Sequence, residues 1–391
     1  MYDALVVGLG PAGSTAAYEL ARSGYKVLGL DKEVFPRYKS CGGCISTKIH
    51  RDFDLDISPV VEDTVYGASF TYKATRSIDI LADRPVGYNV MRDVFDKFLL
   101  DRARAAGVEV MEGCRVKGLR QDSCSVTVTC EDGSTRTGRF LIGADGAGGF
   151  TGRQYFKLAQ KESAVSITAE VPYDRDHLDV KGRLFIDFGV VPYGYGWIFP
   201  KKKTLSVGVA GDAVKVRGRV KKCFNDFIAS HEILKDHDIE ERTGWTIPIF
   251  YEPAARAVKG RVLLAGDTGH LVDPFLGEGI YYAILTAREA ARTAADALRS
   301  GFDDLSGYQR WLEDRLFAEF EYAEKVADLV YNHPRLWYGI LERSPHIMLR
   351  YYDVIRGEET HESFYKWVVA KVKSKPWQML RKWVGGGLLR A

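Results

Sequence analysis

The sequence predicts an α/β protein with three parts: a Rossmann-type domain built on a parallel sheet, an antiparallel sheet inserted into that domain, and a helical C-terminal region. Three observations support this fold class. A glycine-rich turn separates an apolar strand from a helix near the N-terminus. Residues 160–250 are rich in aromatic and β-branched side chains that alternate with small or polar ones, as in antiparallel strands. An alanine-rich helix is then predicted over 280–298, and the chain after Ser306 has a helical, aromatic pattern.

The N-terminal elements form one βαβ unit. Its first strand is short and apolar, and its helix ends at Gly24. Because a single helix connects the two strands, they are expected to lie parallel in one sheet. The unit consists of a strand over 4–7, a glycine-rich turn over 8–13, a helix over 14–23 and a strand over 26–30 that is closed by Asp31.

The length and net charge of the chain limit the functions that it can have. The chain has 391 residues, enough for two or more domains, and its formal net charge of +3 is too small to suggest a nucleic acid as partner. No basic region precedes a hydrophobic run at the N-terminus, and no apolar segment approaches the ~20 residues of a spanning helix. We therefore expect a cytoplasmic protein, either soluble or bound at the inner face of the cell membrane.

The six cysteines do not suggest a disulfide framework, which is rare in large cytosolic chains. Cys124 and Cys130 are predicted to be plain strand residues. Cys41 and Cys44 form a C-x-x-C pair without a second pair or a nearby histidine cluster, so no metal site is expected. Whether these two thiols form a disulfide is left open by the sequence.

The glycine-rich turn has the spacing of a dinucleotide-binding motif. Gly8 makes the tight turn, Gly10 lets the backbone approach a pyrophosphate, and Gly13 allows the helix to pack closely on the strand. The phosphates would lie at the helix N-terminus, where free N–H groups favour anions. Asp31, at the end of the second strand, is placed to accept a hydrogen bond from a ribose hydroxyl. The motif alone does not distinguish FAD from NAD.

Two later segments favour FAD. The strand from Leu141 ends in Ala-Asp145-Gly, and the strand from Leu263 ends in Gly-Asp267 before a glycine-rich loop over 274–279. With these segments the chain resembles the FAD-dependent family that includes aromatic hydroxylases, flavin halogenases and geranylgeranyl reductases. The resemblance implies that Asp267 contacts the ribityl chain and pyrophosphate of FAD, and that Gly279 and Ile280 open a helix directed at the isoalloxazine ring.

The same resemblance assigns two further cofactor contacts and the domain boundaries. Arg92, at the start of its helix, would lie near the phosphates and ribityl chain, and Val116 would offer its backbone to the adenine. A solvated helix residue and a plain strand residue are the alternatives. The FAD-binding domain is assigned to 1–50, 88–160 and 255–310, the antiparallel-sheet substrate domain to 51–87 and 161–254, and the helical region to 311–391.

Two signatures resemble the geranylgeranyl reductase family, especially the form that saturates archaeal-type ether phospholipids. The first is Lys39-Ser-Cys41-Gly42-Gly43-Cys44, and the second runs from Pro192 to Pro200 with the pattern P-x-x-Y-x-W-x-F-P. The resemblance implies that Cys41, Gly42 and Cys44 run beside the flavin, although a small residue is expected where Cys44 stands. Tyr195, Trp197 and Phe199 alternate, so in a strand they share one face. They are assigned to an apolar wall for a polyprenyl chain, with an ordinary domain core as the alternative.

The activity implied is saturation of isoprenoid double bonds by a hydride from reduced flavin N5 and a proton. Cys41 is the candidate proton donor or gate, unless it contacts FAD only through its backbone. Tyr195 and Trp197 are candidate catalytic residues because their ring faces could stabilise positive charge on the substrate. The competing interpretations are a flavin monooxygenase or halogenase, and an electron-transfer flavoprotein that reduces a membrane quinone.

The expected partners are a prenyl lipid and an external electron donor. Only one nucleotide fingerprint is visible, so the donor would dock transiently, as reduced ferredoxin, reduced deazaflavin or NAD(P)H. A peripheral membrane contact is suggested by tryptophans interleaved with cations near the C-terminus, with a packed, solvated helix as the alternative. These residues are Trp367, Trp377 and Trp383, with Lys366, Lys371, Lys373, Lys375, Arg381 and Lys382.

Overall fold

The computed structural model describes residues 1–158, 163–174, 180–235, 237, 239, 242–250 and 256–374. The strands are, in chain order, β1 (Tyr2–Val7), β2 (Val27–Leu30), β3 (Cys44–Ser46), β4 (Val61–Val65), β5 (Gly67–Tyr72), β6 (Ile78–Leu81), β7 (Gly87–Val90), β8 (Glu109–Met111), β9 (Val116–Gln121), β10 (Val126–Cys130), β11 (Thr135–Gly143), β12 (Ala164–Pro172), β13 (Arg183–Phe188), β14 (Gly194–Pro200), β15 (Thr204–Asp212), β16 (Thr243–Ile247), β17 (Val258–Lys259) and β18 (Val262–Leu264).

The helices are α1 (Pro11–Arg22), α2 (Lys48–Asp52), α3 (Arg92–Ala105), α4 (Ala213–Val216), α5 (Val220–Ser230), α6 (Ile280–Ser300), α7 (Ser306–Trp311), α8 (Ala318–Tyr331), α9 (Pro334–Arg343), α10 (His346–Arg356) and α11 (His361–Ser374). Short 3₁₀ turns cover Ser58–Val60, Glu232–Leu234 and Gly266–Gly269, and π-helical turns cover Thr151–Tyr155 and Leu312–Phe317.

The first sheet confirms the predicted Rossmann-type unit. Strand β1 pairs in parallel with β2 on one side and with β11 on the other, and the order of the main strands is β17-β18-β11-β1-β2-β8. Helix α1 begins at Pro11, three residues before the predicted start, because the fixed φ of proline suits a first helical turn. After β1 the chain continues to β2 on one side of β1, whereas the later strand β11 pairs on its other side. At such a reversal of strand order, a crevice opens at the carboxyl end of β1.

The second sheet confirms the predicted antiparallel region. Its order is β16-β12-β15-β14-β13-β5-β6, and all its pairs are antiparallel except β5 with β13. Successive residues of β14 and β15 face opposite sides of the sheet. Ile198, Leu205 and Val207 pack against Phe224 and Phe227 of α5, so one face of the sheet is covered by this helix. The other face is directed at the nucleotide-binding sheet.

A third sheet connects the two larger ones. It has the order β3-β7-β4, with antiparallel pairs throughout. Strand β7 spans the boundary drawn between residues 87 and 88 from the sequence, and it pairs with β4 of the predicted substrate segment and β3 of the predicted cofactor segment. The C-x-x-C segment, whose last residue begins β3, is therefore held at the junction of the two sheets.

The C-terminal helices pack on the far end of the seven-stranded sheet and confirm the predicted helical region. Tyr352 of α10 donates its hydroxyl to the Ile80 carbonyl at 2.8 Å and accepts from the Ala68 amide at 3.0 Å. Trp367 of α11 packs on Phe364 and His346, which fits a helix docked on the body. The remaining predicted membrane-contact residues Trp377, Trp383, Lys375, Arg381 and Lys382 lie outside the described residues, as does the side chain of Lys373.

The prediction that Cys130 is a plain strand residue is wrong, because it forms a disulfide. Cys114 and Cys130 form a disulfide, with Cα atoms 6.0 Å apart, whereas Cys41, Cys44, Cys124 and Cys223 are free. Cys130 ends β10 and Cys114 lies just before β9, and these two strands pair, so the two side chains meet across adjacent strands. The sequence spacing carried no signal of this pairing, because the hairpin register was not known. In the described part of the chain, every helix is too short or too polar to cross a membrane.

Candidate active site

A cavity of about 1070 Å³ lies where the two large sheets face each other. It is lined by the glycine-rich turn, the segment 37–44, the loop 274–280, one face of the seven-stranded sheet, and helices α8 and α10. All the predicted site residues except Gly13 line this cavity. The sequence motifs, which are far apart in the chain, thus converge on one space.

The glycine turn has the geometry that a bound pyrophosphate needs. Gly8 has φ of +89°, and a Cβ at this position would collide with the carbonyl of Ala144. A Cβ on Gly13 would collide with the Gly8 carbonyl, so α1 can approach β1 only with glycine here. In contrast, the nearest atom to a Cβ on Gly10 is Nη2 of Arg37, at 3.5 Å. Gly10 therefore borders open space at the N-terminus of α1, where an anion fits.

Asp31 organises this turn from the end of β2. Its carboxylate accepts from the Leu9 amide at 2.6 Å and from the Glu33 amide at 2.9 Å. Burial raises the pKa of Asp31, although both amides favour the ionised form. The carboxylate is thus fixed in position on the cavity wall, and its contact with a ribose stays a prediction.

A buried charge network lies beside the turn. Asp96 pairs with Arg92 at 2.8 Å and with Arg37 at 2.8 Å, and the Asp96 side chain is fully buried. Burial opposes the charged form of Arg92, but the Asp96 carboxylate outweighs it and raises the pKa of Arg92. One nitrogen of Arg37, Nη1, is buried and has no hydrogen-bond partner among the described residues. An anion in the cavity would supply that partner, so Arg37 fits a phosphate contact that the sequence analysis did not identify.

The Gly-Asp turn and the helix after it close the other side. Gly266–Gly269 forms a 3₁₀ turn that carries Asp267, and α6 begins at Ile280 directly after Gly279. Oδ1 of Asp267 lies 3.3 Å from where a Cβ on Gly279 would be, so the carboxylate stands near the N-terminus of α6. Val116, the first residue of β9, is buried and lines the distant end of the cavity near Asp31.

The loop before α6 is held from behind by buried side chains. Oδ1 of Asp273 accepts from the amides of Phe275 at 2.8 Å and Leu276 at 2.6 Å. Glu278 forms an ion pair with Lys48 at 2.8 Å, and both side chains are more than nine-tenths buried. These contacts fix the loop backbone that faces the cavity. None of the three charged residues was identified from the sequence, and for Lys48 and Glu278 the reason is that 230 positions separate the two partners.

Asp267 and Asp145 are expected to differ in their effect on cofactor affinity. The Asp145 carboxylate accepts hydrogen bonds from the Thr151 amide at 2.9 Å and from the Thr151 hydroxyl. Both of its oxygens therefore already have partners within the protein. We expect Asp267→Ala to raise the FAD dissociation constant roughly tenfold or more, since a charge-assisted hydrogen bond is lost. Asp145→Ala should instead lower the free energy of unfolding by about 1–3 kcal/mol. Flavin fluorescence titration and thermal unfolding measure the two effects, and equal flavin retention by both variants contradicts the assignment.

The segment 41–43 lies flat on the face of the seven-stranded sheet. A Cβ on Gly42 would be 2.7 Å from the Phe199 ring and 3.3 Å from Nε1 of Trp197. Gly43 has φ of +75°, and a Cβ there would collide with the Val90 carbonyl. The Ser206 hydroxyl donates to the Cys41 carbonyl at 3.4 Å. Glycine is required at both positions because only a bare backbone fits between β7 and the aromatic wall.

The two cysteines of this segment have different surroundings. Cys41 is partly exposed to the cavity, and its sulfur accepts from the Gly43 amide at 3.4 Å. Arg92 also interacts with the Cys41 thiol, which places a permanent cation beside it. Cys44 begins β3, and burial raises the pKa of its thiol to about 12. Both cysteines line the cavity, but Cys44 keeps its proton at neutral pH, whereas Cys41 lies beside a cation.

Tyr195, Trp197 and Phe199 form one continuous aromatic surface. Their successive ring centroids are 6.1 Å apart, and Trp197 is only 6% exposed. Gly208 on the adjacent strand β15 lies directly under the Trp197 ring. Nε1 of Trp197 has no hydrogen-bond partner among the described residues, and the Tyr195 hydroxyl donates to the Leu276 carbonyl at 2.6 Å. The wall is thus tied to the loop before α6.

An apolar arm extends the cavity away from the glycine turn. The register places Phe188 of β13 opposite Tyr195 and Ile186 opposite Trp197, and Leu184 packs against the same aromatic cluster. Helix α10 covers this part of the sheet with Tyr352, Met348 and Ile355, which also line the cavity. The cavity therefore combines a charged end, which suits a dinucleotide, with an apolar end, which suits a hydrocarbon chain.

Comparisons with known proteins agree with this geometry. The family model described as FAD binding domain matches residues 1–309. A geranylgeranyl diphosphate reductase from Rhodobacter capsulatus is 34% identical over 312 residues, which cover 77% of this chain and 76% of that protein. A digeranylgeranylglycerophospholipid reductase from Methanocaldococcus jannaschii is 28% identical over 356 residues, covering 84% and 88%.

One solved structure is also similar. It is a geranylgeranyl bacteriochlorophyll reductase-like protein from Thermoplasma acidophilum, with a TM-score of 0.72 and 26% identity, and the match covers 84% of this chain and 87% of that one. The cradle at Gly8, Gly10 and Gly13 and the unpartnered nitrogen of Arg37 fit the pyrophosphate of the cofactor that the family model implies.

Proposed function

The chain belongs to the FAD-binding geranylgeranyl reductase family, and on that premise we propose that it saturates carbon–carbon double bonds of a geranylgeranyl lipid, as an FAD-dependent oxidoreductase. The observation that carries the proposal is the continuity of the cavity. One space connects the glycine turn of the cofactor domain with an apolar arm between the sheet and α10. A prenyl chain in that arm would reach the Cys41-Gly42 segment.

The reaction converts C=C into CH–CH, so one carbon takes a hydride and the other a proton. Bound FAD supplies the hydride once an external donor has reduced it. We assign the proton to the Cys41 thiol. The guanidinium of Arg92 interacts with that sulfur and would stabilise the thiolate left after the proton has gone. A new proton must then reach Cys41 before the next double bond is reduced.

The aromatic wall excludes water and holds the chain. Trp197 and Phe199 are buried between the sheet and the segment 41–43, so their ring faces border the reacting end of the apolar arm. Positive charge that develops on a trisubstituted alkene carbon during protonation would lie against these faces. Tyr195 is assigned the same positioning role, since its hydroxyl is committed to the Leu276 carbonyl.

We further propose that the substrate is a lipid with archaeal-type ether-linked prenyl chains, with a free prenyl diphosphate as the alternative. The proposal is supported by the two relatives described above, one named for a geranylgeranyl diphosphate substrate and the other for a digeranylgeranylglycerophospholipid substrate. The electron donor is proposed to be external: reduced ferredoxin, reduced deazaflavin or NAD(P)H. Binding at a membrane surface is proposed from the chemistry of such a lipid.

An anaerobic assay tests the activity. Purified protein with FAD and excess dithionite is incubated with a digeranylgeranyl ether phospholipid or with geranylgeranyl diphosphate, and the products are measured by mass spectrometry. The expected result is a mass gain of two hydrogens for each double bond reduced. A product that forms only in oxygen and contains a new oxygen atom would instead indicate a monooxygenase. Quinone reduction without any change in the lipid would indicate an electron-transfer flavoprotein.

A further inference from the structure

Lys39 is a cation inside the cofactor cavity that has no carboxylate close enough for an ion pair among the described residues. Its Nζ lies 3.7 Å from the centre of the Trp245 ring, and its one hydrogen bond, to the Ser40 carbonyl, is long at 3.4 Å. Nε1 of Trp245 is buried and also has no partner among the described residues. On this wall of the cavity, one donor therefore has only a long hydrogen bond and another has no acceptor among the described residues, which points to an absent anionic or polar ligand.

Lys39 lies on a different wall of the cavity from Arg37. Arg37 and the N-terminus of α1 serve the pyrophosphate end, around Gly10. Lys39 instead lies over β16 of the seven-stranded sheet, two residues before Cys41, and Ser40 is anchored to the Thr243 carbonyl at 3.5 Å. The ammonium thus lies on the sheet side of the cavity, next to the segment assigned to the reacting part of the cofactor.

We propose that Lys39 is the counter-ion of reduced FAD, so that the protein binds the reduced cofactor more tightly than the oxidised one. Two electrons and one proton leave a negative charge on the isoalloxazine ring, whereas the oxidised ring is neutral. A buried cation without a fixed carboxylate stabilises the anionic form selectively. The inference rests on the bound cofactor and does not depend on which alkene is reduced.

The electrostatic surroundings make this interaction sensitive to pH. Burial is the main cause that lowers the pKa of Lys39 to about 8, and Arg92 of α3 lowers it further. Asp267, Cys41 and Asp96 act in the opposite direction. Below pH 8 Lys39 is charged with either form of the cofactor. Above pH 8 it is neutral with oxidised FAD but regains a proton when the anion forms, so reduction takes up one additional proton.

The test is an anaerobic redox titration of the FAD-loaded protein against a reference dye, without lipid. In the parent protein, the ratio of reduced to oxidised FAD at a fixed potential should fall an additional tenfold between about pH 8 and about pH 9, which is about 30 mV over that pH unit for a two-electron couple. Lys39→Met should lose this additional pH dependence. Lys39→Met should also lower the preference for reduced over oxidised FAD about tenfold. This is the effect expected if the interaction between the ammonium and the reduced ring is equivalent to about one pKa unit.

Two variants complete the design. Lys39→Arg should keep the preference for reduced FAD but show no break near pH 8, because a guanidinium stays charged. Lys203→Met removes an exposed lysine from the turn between β14 and β15 and should behave as the parent in every titration. If Lys39→Met weakens oxidised and reduced FAD equally, Lys39 binds the phosphates and the proposal is overturned. An unchanged potential and an unchanged pH profile in Lys39→Met overturn it as well. Failure of the lipid assay leaves these results unaffected, since no alkene is present.

Discussion

A Gly208→Ala enzyme is expected to lose prenyl reduction on the order of 10²-fold while it keeps FAD, because a misplacement of about 1 Å at a positioning residue has effects of this size. A Cβ at this position would collide with Cζ2 of Trp197, lie 2.5 Å from Cη2, and lie 2.7 Å from the Ile167 backbone carbonyl oxygen on β12. The Trp197 ring would have to lift off the sheet, into the space between it and Gly42. The rate of alkene reduction under anaerobic conditions measures the effect.

A matched control and a double variant separate displacement of the ring from general damage to the sheet. Gly244 lies in the edge strand β16 of the same sheet, and the nearest atom to a Cβ there is the Ser166 carbonyl oxygen at 3.9 Å. Gly244→Ala should therefore be as active as the parent. Trp197→Ala should also lower activity on long prenyl chains and leave FAD bound.

If Gly208 acts mainly through Trp197, the loss in the double variant Gly208→Ala/Trp197→Ala should be well below the sum of the two single losses, and what remains reflects the contact with the Ile167 carbonyl. Additive losses in the double variant, or a large fall in melting temperature with the folded fraction fully active, would place Trp197 in the domain core. That result would remove the wall from the substrate site.

The sequence predicted the parts of the site whose function depends on local chain geometry. A turn that needs glycine at fixed spacing can be read from one segment, so Gly8, Gly10 and Gly13 were identified without knowledge of the fold. The shared face of Tyr195, Trp197 and Phe199 follows from the period of a strand alone. The structure places all of these residues except Gly13 on the wall of one cavity, and the roles assigned to them remain predictions.

The residues that were missed depend on pairing between distant segments. Arg37 meets Asp96 of α3, and Lys48 meets Glu278 across 230 positions of sequence. Cys114 and Cys130 are joined only once the β9–β10 register is known. Gly208 lies within the predicted antiparallel region, but the requirement for glycine there becomes apparent only when β14 and β15 are paired in register. Lys39 stood within a quoted motif, but its missing counter-ion is a property of the folded cavity.

Cys41→Ser is expected to slow alkene reduction by about 10²–10³-fold, the range for loss of a general acid. The physical reason is the pair formed with Arg92. A thiol can pass its proton to the substrate and leave a thiolate beside the guanidinium, whereas a serine hydroxyl of similar size is a much weaker acid. Reduction of the bound flavin by dithionite should be unchanged, because it needs no proton for the substrate. Anaerobic single-turnover assays with and without lipid measure the two steps.

Cys44→Ser provides the internal comparison. Cys44 is partly buried at the start of β3, and desolvation raises the pKa of its thiol to about 12, so it is a poor proton donor at neutral pH. The Cys44 variant should therefore retain most of its activity, apart from any loss of stability caused by a buried hydroxyl. Equal losses in both variants would indicate a redox pair that acts through both sulfurs. A Cys41→Ser enzyme that saturates the lipid at the parental rate would show that Cys41 serves the cofactor through its backbone alone, with Gly42 and Gly43 holding the segment between β7 and the aromatic wall.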